Sequence, residues 1–155
     1  MSFNLYNKLK KVTLIDTSRG MIDVLKSKID KYGVKNMFPE QLDIFKNLPQ
    51  EKFDVIYTSM VLHYIKDTTA IIDIFYKLLN DKGLVCIVDL NEEDGSFHGS
   101  DPDFDGHNGF NQEEFKKLLE NAGFKDVQSE TFFYGKKMVE DRKVDYSLFV
   151  LTGRK

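Results

Sequence analysis

The feature that most constrains the fold is an alternation of short apolar runs with segments whose apolar residues recur at helical spacing. Short runs rich in β-branched and aliphatic residues are typical of buried strands. Four such runs come before the C-terminal region: Val12–Asp16, Met37–Gln41, Phe53–Thr58 and Leu84–Leu90. Because Pro39 has no backbone N–H to donate, the second run is predicted to lie at a sheet edge.

The segments between these runs carry helical patterns. An apolar stripe runs from Met21 to Tyr32, and Gly33 is suited to the left-handed conformation that ends a helix. A second stripe covers Ile71–Leu79, and Asn80–Gly83 is predicted to be a turn. Asn111 has the character of an N-cap, with an acidic residue three positions further on, and begins a third helix.

The C-terminal region differs, because Val127–Tyr134 and Tyr146–Thr152 are two predicted strands with only a loop between them. Such a pair is antiparallel. Together the patterns predict one domain over residues 1–155, of the α/β class. Its sheet is expected to be Rossmann-like, doubly wound and mostly parallel, with an antiparallel C-terminal strand pair.

Ligands of such sheets bind outside the carboxyl ends of the strands. Asp16, Thr58, Ser59 and Asp89 all fall at predicted strand ends, so we expect them on the functional edge. An acidic residue such as Asp16 usually grips ribose hydroxyls and follows a glycine-rich turn by about 20 residues. Only fifteen residues precede Asp16, and the first glycine of the chain is Gly20.

Two of the candidate residues, Asp16 and His63, each have a second interpretation. Asp16 could act as a helix cap, a role for which Thr17 and Ser18 compete. His63 follows a strand end beside Tyr64, and it is either a packing histidine or a residue of the cleft that acts as a base.

Composition excludes several classes of function. The net charge is −3, so no nucleic-acid partner is expected. No apolar run approaches the length of a bilayer span, so no membrane association is expected. The one cysteine, Cys86, excludes a disulfide framework within the chain and indicates a cytoplasmic location.

The polar, glycine-rich segment 91–109 contains a partial match to a calcium-binding loop. The match fails because Gln112 stands where a bidentate glutamate is needed, and no helix precedes the loop. His98 and His107 could form a divalent-metal site with Asp101, Asp103 and Asp105, but no metal is predicted. The segment is expected to be either a substrate loop or a mobile solvated loop.

From Val12 to Lys155 the chain resembles the class I S-adenosylmethionine-dependent methyltransferases. The resemblance rests on the order and spacing of six segments: VTLIDTSRGM, LDIFKNLP, FDVIYTSMVLHYIKD, LLNDKGLVCIVDL, FNQEEFKKLLENAGFKDV and YSLFVLTGRK. VTLIDTSRGM resembles the family's second strand, and LDIFKNLP resembles the segment after the third strand. FDVIYTSMVLHYIKD resembles the fourth strand with the loop after it, and LLNDKGLVCIVDL resembles a helix with the fifth strand. FNQEEFKKLLENAGFKDV resembles the late helix with the sixth strand, and YSLFVLTGRK resembles the seventh strand. The resemblance implies a seven-stranded sheet of order 3-2-1-4-5-7-6.

The resemblance also implies roles for individual residues. Asp16 would bind the cofactor ribose with Thr17 beside it, and Met21 would pack on the adenine. Asp43 would meet the adenine amino group, next to the backbone of Ile44. The cofactor and substrate cleft would be lined by Thr58, Ser59 and His63.

The family's first strand and glycine-rich turn have no counterpart in the sequence, which begins with MSFNLYNKLKK. We therefore expect an N-terminally truncated methyltransferase. The missing strand is central, so its loss leaves two unpaired strand edges. Either Val12–Asp16 closes directly against Phe53–Thr58, or a second chain fills the gap in a homodimer.

The expected function is methyl transfer from S-adenosylmethionine to a small-molecule acceptor. Methyl transfer depends mainly on proximity and alignment, so no obligatory catalytic residue follows from the sequence. The candidates on the substrate side are His63, Tyr64, Asn91 and His98. Two alternatives remain: a non-catalytic methyltransferase remnant that self-associates, and a dehydrogenase fragment, against which the antiparallel terminal pair argues.

Overall fold

A computed structural model describes residues 2–155. The chain divides into two compact units, one ending at Gln50 and the other spanning Glu51–Lys155. The single domain predicted over residues 1–155 stays a prediction. None of the helices in the described range is long and apolar enough to cross a membrane.

The first unit is a two-stranded parallel sheet with its connecting helix. Its elements are α1 (Ser2–Leu5), a 3-10 turn (Tyr6–Lys8), β1 (Val12–Asp16), α2 (Arg19–Tyr32) and β2 (Met37–Gln41). The strands run in register from the Val12–Met37 pair to the Asp16–Gln41 pair, so their carboxyl ends coincide. Both strands have the predicted bounds. In the described part of the chain β2, which contains Pro39, pairs with β1 alone and is therefore an edge strand.

Local chemistry explains where α2 begins and ends. The Ser18 side chain accepts a hydrogen bond from Met21 N at the first turn, and Gly33 ends the helix at φ 62°. This left-handed conformation carries little penalty for glycine, which has no Cβ. The core of the unit consists of Val12, Val34 and Met37.

The second unit is a four-stranded sheet with two helices. Its elements are β3 (Phe53–Ser59), a 3-10 turn (Leu62–Tyr64), α3 (Thr68–Leu78), β4 (Leu79–Leu90), a 3-10 turn (Ser96–His98), α4 (Gln112–Asn121), β5 (Lys125–Val139) and β6 (Arg142–Arg154). The strand order is β3-β4-β6-β5. β3 and β4 are parallel, and β6 is antiparallel to β4 and β5, as predicted for the C-terminal pair.

Two elements of this unit differ from the prediction. The turn predicted at Asn80–Gly83 lies inside β4, where the register on β3 shifts and Lys82 takes φ 64°. β5 and β6 are longer than predicted, because their pairing continues to Val139 and Arg142 with only two residues between. Their polar ends pair with each other, and apolar periodicity alone does not reveal such pairing.

The two sheets reproduce the strand order that the resemblance implied. Removing strand 1 from the order 3-2-1-4-5-7-6 leaves 3-2 and 4-5-7-6, and these are the orders of the two sheets. Within the first unit β1 pairs with β2, and within the second unit β3 pairs with β4. Closure of Val12–Asp16 on Phe53–Thr58 and its alternative, a homodimer, both stay predictions.

The core of the second unit forms where α3, α4 and the sheet supply their apolar faces. Ten of its apolar side chains are fully buried: Leu62, Ile71, Ile72, Leu79, Val85, Ile87, Leu90, Leu119, Phe149 and Leu151. The last four residues of β4 are buried in this core, so close packing constrains the side chains at its carboxyl end.

Candidate functional site

Asp16 lies at the carboxyl tip of β1, as predicted. Its Oδ1 accepts a hydrogen bond from Ser18 N at 2.8 Å, which makes a tight turn before α2. Ser18 caps the helix instead of Asp16, since Ser18 Oγ accepts from Met21 N at 3.3 Å. No partner of Asp16 Oδ2 is found within residues 2–155, so this oxygen is available to a ligand hydroxyl.

The segment that carries Asp43 is attached to the tip of β1. Leu42 N donates to Asp16 O at 3.1 Å, and Gln41 Nε2 donates to Thr17 O at 3.1 Å. These bonds place the beginning of the Asp43–Ile44 segment next to Asp16.

Asp43 itself is engaged by its own segment. Its Oδ2 pairs with Lys46 Nζ at 3.0 Å, and its Oδ1 accepts from Phe45 N at 3.1 Å. The hydrogen bond from Lys46, followed by that from Phe45 N, holds the pKa of the Asp43 carboxyl below its ordinary value. Ile44 is partly buried, whereas Thr17 and Met21 are exposed.

In the second unit, Thr58 and Ser59 end β3 and are partly buried. They pair with Ile87 and Val88 of β4. The next residue, Met60, has φ 57°, which is unusual for a residue with a side chain. Backbone strain of this kind concentrates at functional sites, and here it falls directly after the predicted cleft strand.

A buried histidine–carboxylate pair connects β4 to the 3-10 turn after β3. His63 Nδ1 lies 2.5 Å from Asp89 Oδ1, and the two side chains are 1 % and 0 % exposed. Asp89 Oδ1 also accepts from Leu90 N at 2.8 Å, and Oδ2 accepts from Leu62 N at 2.9 Å. Both oxygens of the carboxylate accept hydrogen bonds, whereas His63 Nε2 is buried without a hydrogen-bond partner in the described chain.

Aromatic rings surround this pair. The His63 ring lies 4.3 Å from that of Tyr64 and 5.2 Å from that of His98, between centroids. His98 stacks on Phe104 at 3.7 Å with the planes 5° apart. Three of the four predicted substrate-side residues, His63, Tyr64 and His98, are thus brought together in one cluster.

His98 is 7 % exposed, and its Nε2 also has no partner among residues 2–155. Burial, and after it the charges of His63 and Lys137, holds the pKa of His98 below its ordinary value of 6.5. Desolvation disfavours the protonated imidazole, so burial favours the neutral form of His98.

The fourth candidate, Asn91, lies in a different network. Its Nδ2 donates to Thr131 Oγ1 at 3.1 Å and to Ser147 Oγ at 2.9 Å, and its Oδ1 accepts from Gln112 Nε2 at 2.7 Å. These bonds tie the end of β4 to β5, β6 and α4. Its predicted role in catalysis stays a prediction.

The segment after β4 is folded against the rest of its unit. Asn91 and Phe110 form a β-bridge that closes its base, and Phe97 is buried within it. His107 N donates to His63 O at 2.7 Å, which connects the segment to the cluster around His63. Among residues 2–155, no three His, Cys, Asp or Glu side chains are placed together so that they could hold a metal ion. The absence of a metal at His98 and His107 stays a prediction.

Sequence reasoning placed Asp89 at the functional edge but missed its contact with His63, and it missed Phe104 entirely. Asp89 and His63 lie near the carboxyl ends of neighbouring parallel strands, and this placement was the signal that could have predicted their contact. Phe104 lies in an irregular segment, and neither spacing nor composition predicts which ring it stacks on.

Comparison with known proteins identifies the family. A family model described as "Methyltransferase domain" matches residues 3–129. An uncharacterized methyltransferase of Schizosaccharomyces pombe is 27 % identical over 143 residues, covering 83 % of this chain and 50 % of its own. Phosphoethanolamine N-methyltransferase of Triticum aestivum is 33 % identical over 88 residues, covering 55 % of this chain and 17 % of its own. The chain thus spans half or less of the length of these curated relatives.

Solved structures share the fold. The YcgJ protein of Bacillus subtilis aligns with a TM-score of 0.78 at 14 % identity, over 99 % of this chain and 86 % of its own. Phosphoethanolamine N-methyltransferase 2 of Haemonchus contortus, in complex with phosphomonomethylethanolamine and S-adenosylhomocysteine, aligns with a TM-score of 0.80 at 14 % identity, over 99 % of this chain and 46 % of its own. The predicted α/β, Rossmann-like class and the predicted family are confirmed: the chain belongs to the methyltransferase domain family.

Proposed function

We propose that the chain is an S-adenosylmethionine-dependent methyltransferase that acts on a small molecule. The observation that carries the proposal is Asp16 at the carboxyl tip of β1 with Oδ2 free for a ligand hydroxyl. Ribose hydroxyls are the usual partners of an acidic residue at such a tip. The names of relatives include phosphoethanolamine N-methyltransferases and an N-methyltransferase of Bradyrhizobium japonicum, which supports an amine acceptor.

In the first unit, Asp16 is proposed to bind the ribose, with Thr17 beside it. Asp43 and the backbone of Ile44 are proposed to meet the adenine, on which Met21 packs. Met21 is 49 % exposed, as a residue that packs on a ligand should be before binding. Because both Asp43 oxygens are engaged by Lys46 and Phe45, a contact of Asp43 with the adenine requires one of these bonds to yield.

In the second unit, Thr58, Ser59 and His63 are the proposed cofactor contacts. When bound, S-adenosylmethionine supplies a methyl group on a positively charged sulfur. His63, Tyr64, Asn91 and His98 are the proposed residues on the acceptor side. Rings that exclude water around the acceptor strengthen the electrostatic interactions on which the transfer depends.

The proposal includes a cytoplasmic location and no nucleic-acid or membrane partner, in keeping with one cysteine and a net charge of −3. The rival proposal is a non-catalytic remnant that self-associates through sheet edges. It is favoured by one observation: β3 is an end strand of its sheet, and among residues 2–155 it pairs with β4 alone. An unpaired edge is a template for another chain.

Isothermal titration with S-adenosylhomocysteine, the demethylated product, separates the two proposals. The enzyme proposal predicts saturable heat at submillimolar ligand. No heat at millimolar ligand, from protein shown to be folded by circular dichroism, would favour the remnant. Sedimentation of the same samples would then show whether the chain self-associates.

A further inference from the structure

Part of the aromatic cover over His63 comes from the segment after β4. His98 and Phe104 lie 5.2 Å and 6.5 Å from the His63 ring between centroids, and both belong to residues 96–107, which we call the cover segment. His63 Nε2 is buried. A small molecule therefore reaches this nitrogen only when part of its surroundings moves.

The β5–β6 hairpin contacts the cover segment, and one residue of the hairpin is charged. We propose that Lys137 is a positioning residue that holds the cover segment closed over His63 during methyl transfer. The inference rests on the proposed function and adds to it the control of access to the acceptor side.

Lys137 makes two contacts with the same residue of the cover segment. Its Nζ donates to Phe97 O at 2.7 Å and lies 4.0 Å from the centroid of the Phe97 ring. A hydrogen bond from a charged donor is stronger than a neutral one, and an aromatic face attracts an ammonium group. Because Phe97 is 8 % exposed, both contacts are partly shielded from water, which strengthens them.

Two apolar contacts place the same turn on the hairpin. The rings of Phe97 and Tyr146 lie 5.0 Å apart between centroids, with their planes at 68°. Val139 is buried at the end of β5, and its Cγ1 lies 3.5 Å from the position that a Cβ on Gly99 would occupy. These contacts give the turn a surface to pack on, and Lys137 supplies the directional bond that holds it there.

Phe97 connects Lys137 to the proposed acceptor side. Phe97 and His98 lie in one 3-10 turn, and their rings are 5.0 Å apart between centroids. His98 in turn stacks on Phe104. A displacement of Phe97 from the hairpin therefore also moves His98 away from His63.

The other end of the cover segment is attached to a different element. His107 N donates to His63 O at 2.7 Å, and His107 Nε2 lies 3.0 Å from Ile65 O. Loss of the Lys137 contacts leaves this attachment intact. The segment then opens from the Phe97 end, as a lid does on a hinge.

Lys136 is a matched control, because neighbouring residues of a strand point to opposite faces of the sheet. Its Nζ pairs with Asp145 Oδ1 at 2.7 Å, and the two side chains are 64 % and 77 % exposed. This pair lies within the hairpin. Lys136→Met therefore removes the same charge as Lys137→Met but leaves the contacts with Phe97 in place.

Carbethoxylation of His63 by diethyl pyrocarbonate tests the closed state in the full chain without a cofactor. Peptide mass spectrometry follows the rate, and circular dichroism confirms that each variant is folded. We expect Lys137→Met to raise the rate about tenfold or more, as befits loss of a charged hydrogen bond. Lys136→Met and the conservative variant Lys137→Arg should stay within threefold of the wild type. Lys137→Gln serves the same comparison if Lys137→Met does not fold.

Kinetics test whether the closed segment matters for methyl transfer. Labelled methyl transfer from S-adenosylmethionine is measured with phosphoethanolamine, ethanolamine and methylamine as probe amines. An open cover segment admits water and leaves the acceptor poorly oriented, so Lys137→Met should lower kcat about tenfold. The KM for S-adenosylmethionine should hardly change, and Lys137→Arg should restore kcat.

Two outcomes would overturn the proposal: carbethoxylation of His63 in Lys137→Met within threefold of the wild-type rate, and faster carbethoxylation with an unchanged kcat. A wild type that binds no S-adenosylhomocysteine or methylates no probe amine would instead count against the proposed function. The carbethoxylation rates would still decide whether Lys137 holds the segment closed.

Discussion

Asp16 and Asp89 lie at the carboxyl ends of strands in two different units of the molecule, but their burial and hydrogen bonding differ. Both stand at the carboxyl end of a parallel strand, β1 and β4. Asp89 is 0 % exposed and its two oxygens accept from Leu62 N, Leu90 N and His63 Nδ1. Asp16 is partly exposed and accepts from Ser18 N through one oxygen.

The difference separates two uses of a carboxylate. A carboxylate whose oxygens are all taken by its own protein holds neighbouring elements in place, and removing it leaves buried donors unpaired. A carboxylate with a free oxygen contributes little to folding and can bind a ligand hydroxyl. We therefore expect substitution of Asp89 to lower mainly the stability of the protein, and substitution of Asp16 to weaken mainly ligand binding.

The largest expected effect is on stability. Asp89→Ala leaves three buried donors without an acceptor, and it should lower the free energy of unfolding by about 3 kcal/mol or more. Asp16→Ala removes one hydrogen bond at a partly exposed turn and should cost about 1 kcal/mol or less. Urea unfolding followed by circular dichroism measures both, and equal losses would contradict the comparison.

A smaller effect on stability tests whether Ser18 is the N-cap of α2. Because Ser18 supplies the cap, Ser18→Ala should lower the free energy of unfolding by about 1 kcal/mol. Ser27→Ala, at an exposed position within the same helix, is the control and should change stability less. The cap assignment fails if the two variants unfold at the same urea concentration.

Burial of His98 should make the stability of the protein depend on pH. The pKa of His98 lies below its ordinary value of 6.5 in the folded protein, chiefly because the ring is buried. The unfolded chain then binds more protons than the folded one as the pH drops below about 6.5, so stability falls with decreasing pH in that range. His98→Gln should flatten this dependence in thermal unfolding between pH 7 and pH 5, and an unchanged slope would count against it.

The smallest effect concerns Asp43, a carboxylate that is engaged although it lies near the surface. Lys46→Met removes the hydrogen bond that contributes most to the lowered pKa of Asp43, so that pKa should rise toward its ordinary value. Stability at pH 7 should hardly change, because an ion pair between exposed groups contributes little. Carboxyl carbon NMR titration checks the shift, and an unchanged pKa would exclude Lys46 as its cause.

The elements that depend on local sequence were predictable. β1, β2 and α2 follow from apolar spacing and from Gly33, and these patterns act over a few residues. The Asn80–Gly83 bulge and the outer part of the β5–β6 hairpin were not predicted, because both depend on pairing with a neighbouring strand.

The candidate site was predictable only in outline. The order of the predicted strands and helices was enough to place its residues at strand ends. The contact of His63 with Asp89 joins residues 26 positions apart and depends on how the turn after β3 meets β4. Asn91 comes directly after β4, the strand that contains Asp89, but it does not join the His63 cluster. It forms hydrogen bonds with Thr131, Ser147 and Gln112 instead.

The central claim is that the free carboxylate at the tip of β1 binds the ribose of the cofactor. The most direct test is calorimetric titration of the wild type and Asp16→Asn with S-adenosylhomocysteine, together with urea unfolding of both proteins. The account predicts that Asp16→Asn weakens binding about tenfold or more, as expected for loss of a hydrogen bond to a charged group, with nearly unchanged stability. Equal affinity of the two proteins would contradict it.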